Sequence, residues 1–471
     1  MATIKNRTPI RTKKPTRVTA QGLPVINPDT AGIDIGTTSL YVAVPIDRDP
    51  RPVRTFVTFT DSLRELARWL KQCGIKSVAM EATGVYWIPV YQILAAAGFE
   101  VCLVNPRHVK HVRGRKTDVS DCQWLQHLHA VGLLQASFRP ADDICALRTL
   151  YRHREHLVRH AGRQIQLMQK ALDQMNLHLH HVLSDLAGVS GLRIVDALLE
   201  GERDPVALAK LRDPRCQTDE ETIVAALTGD WRPEHIFTLK QARETFTHYH
   251  TLLPACDAEI ETWMKEHAPP APPAPTTPPA GGKRARPRRV RKVHRNVPVL
   301  PTLDLQRELH QRFGVDLTAV PALGLTTVCA LYAELGPGFT KDFARHEQFC
   351  SWIAVCPDPR KTGGKVIRSQ TRDIQHRVAH VLRQAAQTVC RSDNHLGRFY
   401  RRMRAKLGGP QAITATAHKL ARILYTMVKK QQEYDETIFQ RSEKEDNERH
   451  LASVRRQAKS MGFTLQPIQV T

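Results

Sequence analysis

Gly32-Ile33-Asp34-Ile35-Gly36-Thr37-Thr38-Ser39-Leu40-Tyr41-Val42-Ala43-Val44-Pro45 is the stretch on which the fold turns. Gly32–Gly36 and Ser39–Pro45 are short runs of alternating β-branched character, and Gly36-Thr37-Thr38 between them has the composition of a hairpin turn. Working outward, Arg54–Thr60 supplies a third strand. Asp61–Cys73 is an amphipathic helix with Leu63, Leu66 and Leu70 on one face and Asp61 or Ser62 placed to cap it. Ser77–Met80 and Glu100–Val104 are continuous apolar runs of buried-strand type, flanking a helix over Tyr86–Ala97. The predicted order is hairpin, strand, helix, strand, helix, strand, helix.

That order, over residues 30–140, fits an α/β RNase H-like (RuvC-like) domain, although periodicity alone admits other α/β folds. Within it, four carboxylates stand out. Asp34 lies mid-strand between Ile33 and Ile35, where a charge is costly unless paired or bound to metal. Glu81 ends Ser77-Val78-Ala79-Met80, at the carboxyl edge of a strand, where α/β sites usually form. Asp118 and Asp121 are one helical turn apart, and Leu125 and Leu128 continue their row, so both acids are expected to face the sheet. Four inward carboxylates need neutralising. Hard divalent cations with oxygen ligands do this and position phosphates for in-line displacement. Read singly, a strand Asp is as well explained by a salt bridge, and Asp118 by a helix N-terminus behind a Thr117 cap.

The surroundings are cationic. Over 471 residues Lys+Arg number 69 against 46 Asp+Glu, a formal net charge of +23, and the pI is about 9.9. A surplus of this size points to polyanions, above all phosphate backbones. A membrane-surface role is disfavoured, because no run of about twenty apolar residues and no signal-peptide pattern is present. Lys5, Arg7, Arg11, Lys13, Lys14 and Arg17 form a basic arm (1–29) read as disordered and phosphate-seeking. The segment Asn105–Lys116, with Arg107, Lys110, Arg113, Arg115 and Lys116, sets cations beside the acidic set and is a candidate nucleic-acid contact; a solvated charge run is the bland alternative. The ten cysteines form no CxxC pair and no zinc spacing, which suits a reducing cytoplasm and argues against a structural zinc.

Beyond Pro140 the chain is helical to about Met175 and again over Lys240–Lys265. The region 141–266 is therefore read as an antiparallel coiled-coil arm with an insert, although Leu150, Leu157, Leu167, Leu172 and Leu179 are too irregular for a strict zipper. His153, His156 and His160 share a helical face there and are read as polar or phosphate contacts before metal ligands. Residues 267–298 form a linker, Pro/Ala-rich over Pro269–Pro279 and then cationic from Lys283 to Lys292. A mainly α domain follows (299–435), most compact from Val315 to Met427. It opens on Val320-Pro321-Ala322-Leu323-Gly324-Leu325, a helix-hairpin-helix-like start whose amides at a Gly turn can face a phosphate. Thr362-Gly363-Gly364-Lys365 permits close backbone approach to phosphate, or is an ordinary basic turn. Arg401 and Arg402, in the basic run Gly397–Lys406, can track a nucleic-acid backbone. The tail 436–471 is polar and expected to be dispensable for chemistry.

Several of these segments resemble the DEDD-type insertion-sequence transposases, the IS-one-ten and IS-eleven-eleven group of bridge-RNA-guided recombinases. The matching pieces are Gly32–Gly36, Met80-Glu81-Ala82-Thr83-Gly84, Gly114–Asp121, the block around Thr362–Lys365 and the run Ala412–Ala421, in order between residues 30 and 435. The resemblance implies a RuvC-like domain in which Asp34, Glu81, Asp118 and Asp121 bind Mg2+ (or Mn2+), a coiled-coil arm and a C-terminal transposase domain. It further implies double-stranded DNA and a structured guide RNA as partners, a homo-oligomer (dimer or tetramer), and a nucleoid-associated life in the bacterial cytoplasm. Family members use a C-terminal serine that attacks the DNA phosphate, forming a phosphoserine in a site shared between subunits. This chain departs there, with Thr362 before the Gly-Gly-Lys; its extra methyl restricts χ1 and crowds attack. Ser369 is the nearest downstream serine. Two rivals are weighed against this reading. Asp34-Ile35-Gly36-Thr37-Thr38-Ser39 also resembles the first phosphate hairpin of sugar kinases and actin-like ATPases, but no second Asp-x-Gly hairpin or Gly-Gly adenosine motif follows in a strand context. A nucleic-acid-binding relic without strand transfer is the other.

Overall fold

The opening stretch folds as a hairpin. β1 (Thr30–Ile35) passes through Gly36-Thr37-Thr38 into β2 (Ser39–Ala43), and the Gly36 N–H donates to the Ser39 carbonyl at 3.0 Å. The computed structural model describes residues 23–82, 84–105, 118–269 and 296–464, the side chains of 118–120, 360, 438–447 and 449–450 excepted. Residues 1–22 of the expected basic arm, the cationic segment holding Arg107, Lys110, Arg113, Arg115 and Lys116, and most of the Pro-rich and basic linker lie outside the described residues. The end of the arm departs from the expected disorder, because the Ile26 and Asn27 N–H groups both donate to the Ala130 carbonyl at 2.8 Å. Contacts divide the chain into two units, Met1–Arg139 and Pro140–Thr471.

In the first unit, β3 (Val53–Val57) is followed by α1 (Thr60–Gln72), β4 (Ser77–Glu81), α2 (Trp87–Ala96), β5 (Glu100–Val104) and α3 (Asp118–Ala130). The third strand stops before its predicted end because Thr60 already belongs to the helix. For the same reason neither Asp61 nor Ser62 is the cap: Phe59 occupies that position without a side-chain bond. Asp61 sits in the first turn, where it meets the positive helix end and Arg64 at 3.0 Å. Leu63, Leu66 and Leu70 are buried together, as their spacing requires.

The sheet order is β3-β2-β1-β4-β5. β1–β2 and β2–β3 are antiparallel, while β1–β4 and β4–β5 are parallel. Side chains alternate faces along each strand. Ile33 and Met80 enter one core with Leu63, Leu66 and Leu70 of α1 and Leu94 of α2. Ala79 and Val104 face the other way, packing on Leu125 and Leu128 of α3. The result is a mixed sheet between two helical layers.

The second unit is almost wholly helical. α4 (Asp142–Gln174) and α9 (Pro233–Glu266) run antiparallel, since Arg154 meets Asp257 while Ala171 lies with Ala242 farther along. Between them come α5 (Leu179–Val182), α6 (Val189–Glu200), α7 (Pro205–Ala209) and α8 (Glu220–Ala226), which share a core with the distal halves of both long helices. The buried residues of α4 include Ile144, Leu147, Tyr151, Arg154, Ala161, Met168 and Leu172. Their spacings of three and four, doubled to seven where one is skipped, mark a continuous seam. The leucines alone mislead, because Leu167 is 43% exposed and Ile, Tyr, Arg, Ala and Met share the seam with Leu147, Leu157 and Leu172.

After Asn296 come α10 (Leu305–Phe313), a 3-10 turn (Leu317–Ala319), α11 (Leu325–Leu335), α12 (Phe339–Asp342) and α13 (His346–Trp352). The hairpin β6 (Pro357–Thr362) and β7 (Lys365–Thr371) follows, then α14 (Arg377–Thr388), α15 (His395–Leu407), α16 (Gly409–Lys430) and α17 (Thr437–Ser460). At the start of this region the left-handed residue is Ala322 (φ 83°). Gly324, expected to make the turn, is instead the extended N-cap of α11, with open space around it. The polar tail is helical over Thr437–Ser460.

Candidate metal and nucleic-acid site

Asp34 and Glu81 are brought side by side by strand pairing. Ile33 is in register with Met80 across the parallel β1–β4 ladder, so the next residues, Asp34 and Glu81, are lateral neighbours. Adjacent strands lie about 4.8 Å apart. Both acids sit at the carboxyl ends of their strands and both are half-buried. By alternation, Asp34 shares its face with Gly32 and Glu81 shares its face with Ala79, the face that α3 covers. At Gly32 the approach is so close that an added Cβ would lie 2.3 Å from the Cys122 carbonyl oxygen and 2.3 Å from the Gln126 nitrogen. α3 therefore rests backbone to backbone on β1.

Asp118 is the first residue of α3, and Asp121, half-buried, precedes Cys122. The row Leu125–Leu128 faces the sheet as expected, each 1% exposed. Electrostatics tie the acids together at Cys122. Burial pushes its thiol up to about 11; the Asp34 and Asp121 carboxylates push in the same direction against backbone N–H donors. The carboxylates of Asp34, Glu81 and Asp121 are hard oxygen donors, the kind that a hard divalent cation takes. Gly32 and Cys122 were not among the residues singled out from sequence. A small residue two before a strand acid is the signal for the first; nothing in the sequence marks the second.

In the second unit Thr362, Gly363, Gly364 and Lys365 form the tip of the β6–β7 hairpin, with Thr362 in register with Lys365. Both glycines have positive φ, 56° and 77°, the signature of a two-residue type I′ turn. Nothing lies within 4 Å of either added Cβ, so the turn and not a close neighbour demands glycine. Lys361, Thr362, Lys365, Arg368 and Ser369 are all exposed. Ser369 pairs with Pro359, away from the tip. Arg401 and Arg402 lie on exposed positions of α15. Arg401 donates to the Ser392 carbonyl at 2.9 Å and approaches Asp393 at 3.7 Å, while Arg402 lies 5.7 Å from the Phe399 ring centroid. On α4, His156 and His160 meet at 3.2 Å between Nε2 atoms, and His160 stacks on Tyr249. No helix of the described residues is long and apolar enough to cross a membrane.

Two family models match the chain on both sides of this divide. A model for DEDD-type IS110 proteins, described as Transposase, covers residues 31–177, from β1 past the end of α4. The second, described as Transposase IS116/IS110/IS902 family, covers residues 316–401, which include the hairpin and Arg401. Two transposase models matched in order along one chain mark it as a DNA transposase. The chain belongs to the IS110 family of DEDD-type transposases. Among curated proteins nothing matches the chain.

Proposed function

We propose that this transposase cleaves and exchanges DNA strands at the ends of an insertion sequence, with Asp34, Glu81, Asp118 and Asp121 holding Mg2+ on an RNase H-like sheet. The observation that carries this reading is the parallel register that sets Asp34 beside Glu81 on the face covered by α3. A bound divalent ion supplies charge neutralisation and phosphate orientation. The chain's own part is to aim the carboxylates. Strand ends fix Asp34 and Glu81, and the contact at Gly32 fixes where α3 delivers Asp121. The cationic residues Arg107, Lys110, Arg113, Arg115 and Lys116, with Gly363, Gly364, Lys365, Arg401 and Arg402, hold the phosphate backbones. A structured RNA encoded beside the element specifies the DNA sites. The protein acts as a homo-oligomer, with α4 and α9 forming a coiled-coil arm.

The covalent step belongs to Thr362. Its hydroxyl attacks a DNA phosphate, the new Thr–O–P bond replaces the P–O bond to the leaving deoxyribose, and the departing oxygen takes up the proton. The exposed tip position supports this, since nothing on the hairpin blocks the approach of a phosphate. Thr362→Ser is expected to raise recombination measured with element-flanking RNA and donor and target DNA. An unchanged rate, with the adduct mapped to Ser369, sinks the assignment. Asp121→Asn is expected to abolish cleavage while leaving DNA binding in place. Thr362 also favours a second reading, a copy that binds nucleic acid without strand transfer; no adduct in either Thr362 or Thr362→Ser protein would establish it. The family matches on both units leave the sugar-kinase-like ATPase reading without support.

A further inference from the structure

The distal end of the arm holds a histidine cluster unrelated to the DEDD acids. We propose that Asp173, His180 and His181 form a transition-metal site, taking Zn2+ by preference with solvent completing the coordination, that clips the end of α4 to the start of the helical insert. Ligand atoms of Asp173, His180 and His181 all lie within 4.8 Å of one another. His180 Nε2 is 3.6 Å and His178 Nδ1 3.8 Å from Asp173 Oδ1. In a tetrahedral zinc site with bonds near 2.0–2.1 Å, neighbouring ligand atoms are about 3.3 Å apart. The contact of His180 with Asp173 therefore needs contraction of a few tenths of an ångström, and the full set, within 4.8 Å, closes by side-chain rotations of at most about 1.5 Å.

A further observation points to an ion. His178 Nε2 lies 3.0 Å from Asn176 Oδ1. Its Nδ1 is buried without a hydrogen-bond partner, 3.8 Å from Asp173 Oδ1, so the edge of the cluster holds an unmet polar atom beside a carboxylate. The backbone that carries the imidazoles is held in place before any ion binds. Leu177 and Leu179, which alternate with the histidines, are both fully buried. The backbone is pinned by Leu177 N–H to Leu172 O at 2.9 Å and His178 N–H to Ala226 O at 2.8 Å. Nitrogen donors with one carboxylate suit zinc and exclude Mg2+, which prefers oxygen. The cysteines, the usual sign of zinc, take no part, and for that reason the site is silent to a cysteine-spacing search.

The test uses tag-free full-length protein in excess Mg2+, which occupies the hard carboxylate sites. Co2+ is titrated as a spectroscopic stand-in and then displaced with Zn2+. The expected result is one equivalent of Co2+ per chain with the visible absorption of a four-coordinate ion, abolished by Zn2+. Affinity should fall more than about 100-fold in His180→Ala/His181→Ala, a loss beyond that of outer-shell partners. It should be unchanged in Asp118→Asn/Asp121→Asn. Asp173→Asn, at an exposed position, serves if the double variant does not fold. Absence of binding, binding indifferent to Asp173→Asn and to the histidine variants, or binding lost with the DEDD acids overturns the proposal.

Discussion

Replacing Gly32 by alanine tests whether the site is built by the contact between β1 and α3. The added Cβ would meet the Cys122 oxygen and the Gln126 nitrogen at 2.3 Å, whereas ordinary contact begins at 3.4 Å. Both atoms are backbone, so no side chain can swing aside. α3 must retreat by about 1 Å, carrying Asp121 away from Asp34 and Glu81. Overpacking of this kind costs about 1–3 kcal/mol, and a displacement of about 1 Å at a catalytic constellation can cost about 100-fold in rate. The readouts are urea unfolding, Mn2+ affinity by water-proton relaxation and Mg2+-dependent DNA cleavage. Gly162→Ala is the control, because the space around that helical glycine is open; it should stabilise by about 0.5–1 kcal/mol. A Gly32→Ala protein that loses stability yet keeps its Mn2+ affinity and cleavage rate would refute the positioning argument.

The remaining predictions concern the helical unit. Asp257 accepts from Arg154 at 2.5 and 3.3 Å and from the Val299 N–H at 3.0 Å, with both ion-pair side chains under 8% exposed. Asp257→Ala strands a buried guanidinium and should cost about 3–5 kcal/mol in urea unfolding, whereas Arg154→Met/Asp257→Leu should cost far less; equal losses would contradict this. Burial, reinforced by Arg148, Arg152 and Arg383 against Glu334, lowers His376 from 6.5 to about 4. The unfolded chain then binds the extra proton between those values, so stability is full above pH 6.5 and falls as pH drops toward 4. The loss is at most about 3.4 kcal/mol at 1.36 kcal/mol per unit. In His376→Asn that part of the pH slope should vanish, and an identical slope would show that other groups carry it.

How much of this could be read from the sequence depended on whether a signal was local. The N-terminal sheet was legible because Ile33, Met80, Leu66 and Leu70 lie in runs with clean periods of two or 3.6, and turn residues punctuate them. Asp34 and Glu81 could be suspected individually, but their adjacency is a fact of parallel register, visible only once Ile33 pairs with Met80. The arm seam was hidden because its buried positions include Arg154 and Asp257, charged residues that no hydropathy pattern assigns to a core. The Asp173–His181 cluster was invisible for a related reason: one ligand ends a long helix and the others follow a tight turn at Asn176 (φ 56°).

The two glycines after Thr362 show how one signal serves two readings. Paired glycines beside lysines are what a phosphate cradle needs and also what a type I′ turn needs, and the positive φ values with empty surroundings account for both residues by the turn. An exposed two-stranded hairpin is marginal by itself in water. Every residue of β7 up to Gln370 is exposed, including Val366 at 53% and Ile367 at 70%. Such a hairpin gains order when a partner buries it, and Lys361, Lys365 and Arg368 around the tip make a polyanion the fitting one. The cost of the Thr362 methyl is thus set by how the bound DNA seats the tip. Thr362→Ser measured at saturating DNA, where docking is complete, isolates that methyl: a gain confined to subsaturating DNA would place the defect in binding and remove the steric argument.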